Sequence, residues 1–575
     1  MTDEASQKTN DKCSVHAILP PNIEPDQKHR FEAVRSAIKH AWDGYNGVVL
    51  SPYRKSFKKY FGILPADDLM PLTSDGITWL HSAATLYDAL DTLYIAGLKE
   101  EYEEALELTL SLPLPLHPTK IFEYSIRVLG SLLGAYSVSG DERLLDRAIF
   151  TADSIIDGGF RSSPTALPRP FDVLAPLRSS VSFLNIGGMI MQRLYTSIYR
   201  LGRDYMQQHR VNSLAGFGSF SLEFAYLSKL TGNSKYKDAS DAIFEHVQNH
   251  IGHGKVVGVI PSMWNVMKGL PSTQMSGLGG GSDSYYEYLI KNAILLQPLT
   301  EKTDIEMLES YIKTLDESFN GDHTGIAFDE NHVAYPTERG SDYNHLLCFV
   351  PGMLAVGEKF YDEPLDFKYD KGDTLSLAKK LLDGCWNDYQ STPTKLGNEK
   401  AWISNEGKKN SDDPSFLLRP EYVESLFILY RITKDDIYRE RAWDAFQMIE
   451  KYCKYSQGYT SLTNVFLTKG NRRRKDEMPS YFLGETLKYL LLIFSPDDYI
   501  DLHEFVFTTE AHPLRQIRTM ENMRSGKCDY ATTTNQPTVL SLNIIFFAIA
   551  YCIFILARMK NPFSQKRRGN RKKNQ

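Results

Sequence analysis

Cysteine is scarce. Six residues in 575 cannot supply a disulfide framework for a chain of this length, so the fold must rest on a packed core. Asn-x-Ser/Thr sequons are missing altogether, and the opening MTDEASQKTNDK is polar, with none of the apolar stretch of a secretory leader. Runs of alternating apolar and polar residues are few, which argues against a β-rich body. Positive charge is lacking where a nucleic acid would need it. The formal charge is −6, and because the last 18 residues bring eight Lys or Arg and no acid, the body before them is more acidic still.

Long apolar runs are lacking too, with one exception. From Val539 to Ala557, VLSLNIIFFAIAYCIFILA runs 19 residues without a charge, ~28 Å as a helix and close to the ~30 Å hydrocarbon core. It reads as a transmembrane helix, followed at once by Arg558, Lys560 and KRRGNRKK. Two topologies compete. A lone C-terminal anchor leaves the body in the cytosol, whereas the positive-inside rule makes the basic tail cytosolic and the body luminal. Around this span the chain divides into a disordered 1–28, a body over 29–514, a polar linker 515–538 and the tail 558–575.

The body is rich in what helices need. With 42% apolar and 12% aromatic residues over the whole chain, it can fill a large core, and helical periodicity dominates to about Thr509. A local pattern recurs in AYSVSGDERLLDRA, YLSKLTGNSKYKDA and LYRITKDDIYRERA: an apolar helix, a turn at Gly, Asn or Asp, then an amphipathic helix. Such hairpins cannot bury their faces alone and must stack. Their irregular spacing and long intervening loops, chiefly 161–215 and 391–415, fit a closed αα-barrel better than a regular solenoid.

Acids stand on faces that should be core. In LLRPEYVESLF, Pro420 suits a first helical turn, and Glu421 and Glu424, three apart, share a face with Leu417 and Phe427. Glu123 and Arg127 lie four apart in KIFEYSIRVLG, Asp283 and Glu287 likewise in GSDSYYEYLIK, and Glu485 sits within the apolar run of SYFLGETLKYLLLIF. Burying several unpaired carboxylates costs several kcal/mol each, so cations, water or a metal must satisfy them. Calcium, with six to eight oxygen ligands, is one solution. Paired acids with aromatic surfaces also suit glycoside hydrolysis.

The segments HAWDGY, YDALDTLYIAGLKEEY, FEYSIRVLGSLLGAY, GSFSLEFAYLSKLTG, DSYYEYLIK, HLLCFVPGMLAVG, LLRPEYVESLFILYR, FLGETLKYLLLIF and VFTTEAHPL occur in an order that resembles the class I α1,2-mannosidases of glycoside hydrolase family 47, over roughly residues 30–514. The resemblance implies an all-α (αα)7 barrel with elaborated loops. It implies a mannosyl-oligosaccharide 1,2-alpha-mannosidase that removes terminal α1,2-linked mannose from high-mannose N-glycans with inversion. By it, Glu123 is the general acid, acting through a water, Glu421 the base, and Asp283 a third essential acid. Arg127, His345, Arg419 and Tyr481 match sugar-pocket positions, Tyr481 standing where a Phe is usual. Thr509 would hold Ca2+ through its hydroxyl and carbonyl, with Glu424 and Glu485 accepting from the ion's waters. Cys348 and Cys385 coincide with the family's disulfide, and no partner is evident for Cys13, Cys453, Cys528 or Cys552.

The chain also departs from the family pattern. Gly281 stands where Arg or Leu is usual, two residues before Asp283, Asn344 replaces an Asp, and GNEK around Glu399 replaces a Gly-Pro-Glu pattern. Family members commonly carry an N-terminal anchor, whereas the apolar span here is C-terminal. The expectation is a protein of the endoplasmic reticulum or Golgi membrane with a luminal body. A second reading is a degradation-enhancing mannosidase-like protein that recognises or trims glycans of misfolded glycoproteins.

Overall fold

The computed structural model describes residues 21–519 except 57–62, 116–118, 162, 172–209, 252–259, 274–276, 298–325, 339–340, 361–372, 405–408 and 471–472. The expected transmembrane helix at 539–557, the tail, most of the 161–215 insertion and Cys13, Cys528 and Cys552 lie outside them. Among the described residues no helix is long and apolar enough to cross a membrane.

Thirteen of the helices carry the architecture: α1 (Lys28–Tyr45), α2 (Ala84–Ile95), α3 (Lys99–Ser111), α4 (Gly130–Ser139), α5 (Glu142–Ile155), α6 (Ser221–Thr231), α7 (Lys235–Ile251), α8 (Asp283–Leu296), α9 (Val350–Phe360), α10 (Thr374–Gln390), α11 (Glu421–Thr433), α12 (Ile437–Tyr452) and α13 (Leu487–Ile493). They fall into two kinds. In α2 every residue but Tyr94 is buried, and α13 is buried throughout. A helix buried all round has neighbours on every side. By contrast α3 and α5 keep an exposed charged face and carry acids in their first turn, where the helix dipole favours them.

The two kinds alternate as hairpins. α2 packs on α3, α4 on α5, α6 on α7, α9 on α10 and α11 on α12, while α1 packs on α13. The inner helices also touch in series: α2 on α4, α4 on α6, α6 on α8, α8 on α9, α9 on α11 and α11 on α13, and the turn leading into α13 returns to α2. The three repeats seen in the sequence are hairpin corners. Gly140 (φ +71°), Gly232 (φ +67°) and Lys434 (φ +59°) each end an inner helix in the left-handed conformation, which glycine adopts freely and lysine at a cost.

Strands are short and confined to connections. Asp342–Asn344 (β1), Lys400–Ile403 (β2) and Lys409–Asp413 (β3) form one antiparallel sheet with β2 in the middle. Phe505–Phe507 (β4) and Pro513–Arg515 (β5) form a hairpin whose tip enters the space between the inner helices. There His512 Nδ1 meets Asp91 of α2 at 2.8 Å, the Ala511 carbonyl accepts from Lys488 of α13 at 2.8 Å, and the Thr509 N–H donates to the Tyr288 hydroxyl of α8 at 3.2 Å. Gly130 and Gly134 make room for it, since a Cβ on either would stand 2.8 Å from the His512 side chain. Packing continues past residue 514, with Arg515, Gln516 and Ile517 all buried.

Cys348 and Cys385 form a disulfide that ties the turn before α9 to α10, with a Cα–Cα distance of 6.1 Å, and Cys453 is buried and free. The bridge closes a loop 37 residues apart in sequence, worth up to about 4 kcal/mol on the chain-entropy account. Replacing both cysteines with alanine is therefore expected to lower the thermal unfolding temperature by several degrees. Calorimetry showing an unchanged midpoint would contradict this.

Candidate active site

Asp67 organises one wall. Its carboxylate accepts the backbone N–H groups of Trp79, Leu80, His81, Ser82 and Ala84 at 2.7–3.2 Å, so the chain wraps around one buried anion and sets the Trp79 ring 5.5 Å from the Arg127 guanidinium. Glu123 closes a single helical turn, and Arg127 follows in a π-helical stretch, Tyr124–Leu129. Such wide turns commonly mark functional positions.

Arg127 is the hub. It donates to Glu123 Oε2 at 3.0 Å, Asp88 Oδ2 at 3.0 Å, Glu510 Oε2 at 2.7 Å and Ser480 Oγ at 3.1 Å. Burial disfavours its charge, yet Glu510, Asp88 and Glu123 together hold its pKa well above the ordinary value. Thus the i, i+4 pair seen in the sequence exists, and it reaches two further acids.

The opposite wall is built at the start of α11. Leu418, buried, adopts φ +62°, a strained conformation for a branched side chain, and the turn is pinned by Thr486 Oγ1 on the Leu418 carbonyl (2.7 Å) and the Tyr481 hydroxyl on the Leu417 carbonyl (2.8 Å). Arg419 then grips Glu399 bidentately at 2.6–2.9 Å, lies 5.9 Å from the Tyr481 ring and sits 3.9 Å from Glu421. His345, 1% exposed, faces Glu421 Oε2 at 3.0 Å through Nδ1 and the Tyr389 hydroxyl at 2.8 Å through Nε2. Asn344 caps the turn bearing His345 by accepting the Leu346 N–H. Gly281 has φ +92°, so a side chain there would be strained.

Between the walls lies a floor of acids. Burial, then Glu287 and Glu421, push Asp283 up to about 7, against the Ser284 N–H and Arg419. Burial raises Glu424 to about 8 despite Lys291, which contacts both Glu287 and Glu424. Glu485 lies well above the carboxylate range through burial and the neighbouring Glu510, Glu421 and Glu424. Glu510 reaches about 8 through burial, against the pull of Arg127. Glu223 reaches about 8 for the same first reason; its Oε1 accepts from Tyr288 at 2.7 Å, while its Oε2 is buried without a partner.

These observations test a metal. Among the described residues no three His, Cys, Asp or Glu side chains converge to ligate an ion directly. What the site offers is an excess of buried oxygen acids, orphaned carboxylate oxygens on Glu223 and Asp88, and the half-buried Thr509 linked through the Tyr288 hydroxyl to Glu223. That set fits a hard cation held by Thr509 oxygens and water, with acids behind.

Every site residue expected from the sequence therefore belongs to one connected region. Asp88, Glu223, Lys291, Glu399 and Glu510 were not singled out for a role, although four of them lie inside quoted motifs. For Asp88, Glu223 and Lys291 the available signal was a charge within an apolar helix, whereas Glu399 and Glu510 lie in turns and carry no such signal.

A family model described as glycosyl hydrolase family 47 matches residues 38–516. The chain is 32% identical over 515 residues to mannosyl-oligosaccharide alpha-1,2-mannosidase IA of Spodoptera frugiperda, covering 87% of this chain and 69% of that protein. It is 34% identical over 514 residues to mannosyl-oligosaccharide 1,2-alpha-mannosidase MNS1 of Arabidopsis thaliana, covering 86% and 80%, and 32% identical over 524 residues to the endoplasmic reticulum mannosyl-oligosaccharide 1,2-alpha-mannosidase of Rattus norvegicus, covering 86% and 68%. The solved alpha-1,2-mannosidase from Trichoderma reesei shares the fold with a TM-score of 0.66 at 23% identity, over 87% of this chain and all of that one.

The floor acids give a pH signature. The folded chain holds the Glu223 proton up to pH about 8, whereas the unfolded carboxyl releases it near ~4.3. Folded protein thus binds more protons in that window, and the stability tied to this group falls as pH rises and is lost above about 8. Glu223→Gln is expected to raise the melting temperature of chelator-treated protein at pH 8 and to leave it unchanged near pH 5. An equal effect at both values would refute the assignment.

Proposed function

The chain belongs to glycosyl hydrolase family 47, and on that premise we propose that it is an inverting, calcium-dependent exo-α1,2-mannosidase trimming terminal mannose from high-mannose N-glycans. One observation carries the reading: Glu123, Asp283 and Glu421 all open onto a single acid-rich network joined through Arg127, Glu510 and Glu485. The series of inner-helix contacts that returns to α2 supports an (αα)7 barrel.

In this reading Glu421 takes a proton from the attacking water, and His345 and Arg419 orient it from two sides. Glu123, locked by Arg127, relays a proton through water to the departing sugar oxygen. Asp283, held at about 7, keeps a proton available near neutral pH. Inversion requires the acid and base to stand ~6.5–9.5 Å apart so that a water fits between sugar and base. Tyr481 offers an aromatic face to the sugar, with its hydroxyl engaged by the Leu417 carbonyl. Thr509 would hold calcium, with Glu424 and Glu485 accepting from its waters; bound there, the ion supplies the positive charge that offsets the floor and offers sites to sugar hydroxyls.

The apolar run 539–557 supports a single C-terminal membrane span, and the disulfide suits an oxidising compartment. The span favours a membrane of the secretory pathway, the endoplasmic reticulum or Golgi, and the basic tail after it together with the disulfide favours a luminal body.

The full chain is expected to release mannose from a high-mannose glycan, with the β-anomer appearing first by NMR and a calcium chelator abolishing release; release that is indifferent to chelator would remove the metal from the reading. Glu421→Gln is expected to lower kcat by at least about 100-fold with melting temperature and calcium affinity kept. Calorimetry of Thr509→Ala should show weakened calcium binding, and an unchanged affinity would count against that site.

A further inference from the structure

His345 is an imidazole whose two nitrogens are both spoken for. Nδ1 lies 3.0 Å from Glu421 Oε2 and Nε2 lies 2.8 Å from the Tyr389 hydroxyl, and such geometry is compatible with more than one placement of protons. The surroundings of Tyr389 decide between them. Its ring, 3% exposed, packs on Tyr422 with centroids 4.2 Å apart and meets the edge of Phe416 at 6.2 Å. Among the described residues the partner of its hydroxyl is His345. Burial keeps that phenol protonated, its pKa held far above the ordinary value.

We infer that Tyr389 is a positioning residue for the base: by donating its hydroxyl proton to Nε2 it fixes His345 as the Nδ1–H tautomer, which donates to Glu421 and keeps it an accepting carboxylate. A buried hydroxyl that retains its proton must place it on an acceptor, and the neighbouring acceptor is the Nε2 lone pair. An imidazolium would set an N–H against that O–H, donor to donor, in a pocket lined by rings. With Nε2 accepting, the ring proton resides on Nδ1 and points at Glu421. The inference rests on reading Glu421 as the base.

The scaffold holds both members of the relay. The His345 N–H donates to the Glu399 carbonyl at 3.0 Å. Cys348, three residues after His345, is bonded to Cys385, one helical turn before Tyr389. The charged and titratable groups facing the relay are Glu421 and Tyr422 from α11 and Arg419 before it, with Asp388 beside Tyr389 on α10. Tyr343 of β1 and Cys453 at the end of α12 also face it, each retaining its proton through burial, and behind these Glu399 pairs with Arg419, Lys409 with Asp388, and Asp283 stands near Glu421.

The test is Tyr389→Phe in the full chain, which keeps the ring packing and removes one oxygen. Freed from its donor, Nε2 can take a proton, and the resulting imidazolium pairs with Glu421 and weakens it as a base. The acidic limb of kcat/KM for mannose release is expected to move up by about one pH unit, and kcat to fall about tenfold with KM little changed. In a His345→Ala background Tyr389→Phe should add nothing, because its effect runs through the imidazole. An unmoved acidic limb, or losses that multiply in the double variant, would overturn the inference and leave Tyr389 as core packing. A parent chain that releases no mannose would instead count against the proposed function. In that event, or if the variant fails to fold, imidazole 15N shifts of the parent protein, assigned through the signal lost in His345→Gln, decide: a proton on Nδ1 alone is expected, and one on Nε2 at neutral pH overturns the relay.

Discussion

Arg127 binds Glu123, Asp88 and Glu510 with one guanidinium, and the rest of the centre is arranged around what that single charge leaves unbalanced. Removing a buried cation from such a cluster strands carboxylates that water cannot reach, at several kcal/mol apiece. Two lysines perform the same service elsewhere. Lys488, fully buried, meets Asp91 at 2.7 Å beside His512, and burial's upward push on Asp91 is outweighed so that its pKa falls. Lys291 holds Glu287 and Glu424. Beyond these three cations the floor retains surplus acid, seen in the raised values of Glu223, Glu424, Glu485 and Glu510.

That surplus explains the topology of the C-terminal hairpin. Its tip supplies Thr509, Glu510 and His512 to three different inner helices or the turns beside them, so the C-terminal end of the body closes on residues from its first half at its most charged point. A connection across the helices through side chains from residues 88, 127, 288, 488 and 510 has very high sequence separation, and each contact depends on the others being in place.

Much of this was legible in the sequence because helices repeat. The hairpin corners at Gly140 and Gly232 follow from glycine after an apolar stretch, and Glu123 with Arg127 is a pair that spacing alone proposes. Asp283 and Glu287 show where spacing misleads: they share a face as expected, but both are acids, and Glu287 finds its cation in Lys291 instead. Asp88, Glu223 and Glu510 could not be assigned because their partners lie 39 to 383 residues away, and no local pattern records such a distance. The short strands, of two to five residues, fall below the length at which alternation becomes visible. Nothing in the sequence marks Tyr389, and its significance arises only from the single nitrogen it faces.

Two of the four π-helical stretches among the described residues have a consequence for how this site could lose activity. Both Tyr124–Leu129, just after Glu123, and Phe482–Thr486, which contains Glu485, widen a helix where an acid must face the pocket while the rest of the helix stays seated on its neighbours. A wide turn accommodates one residue more than an α-turn, and one residue amounts to about 100° of rotation. Deleting a single residue there would let the segment relax to α-helix and swing the acid off the pocket, with the hydrophobic seating of α4 or α13 intact. On this geometry, a single-residue deletion in either window is expected to reorient Glu123 or Glu485 while every acidic residue stays in the sequence.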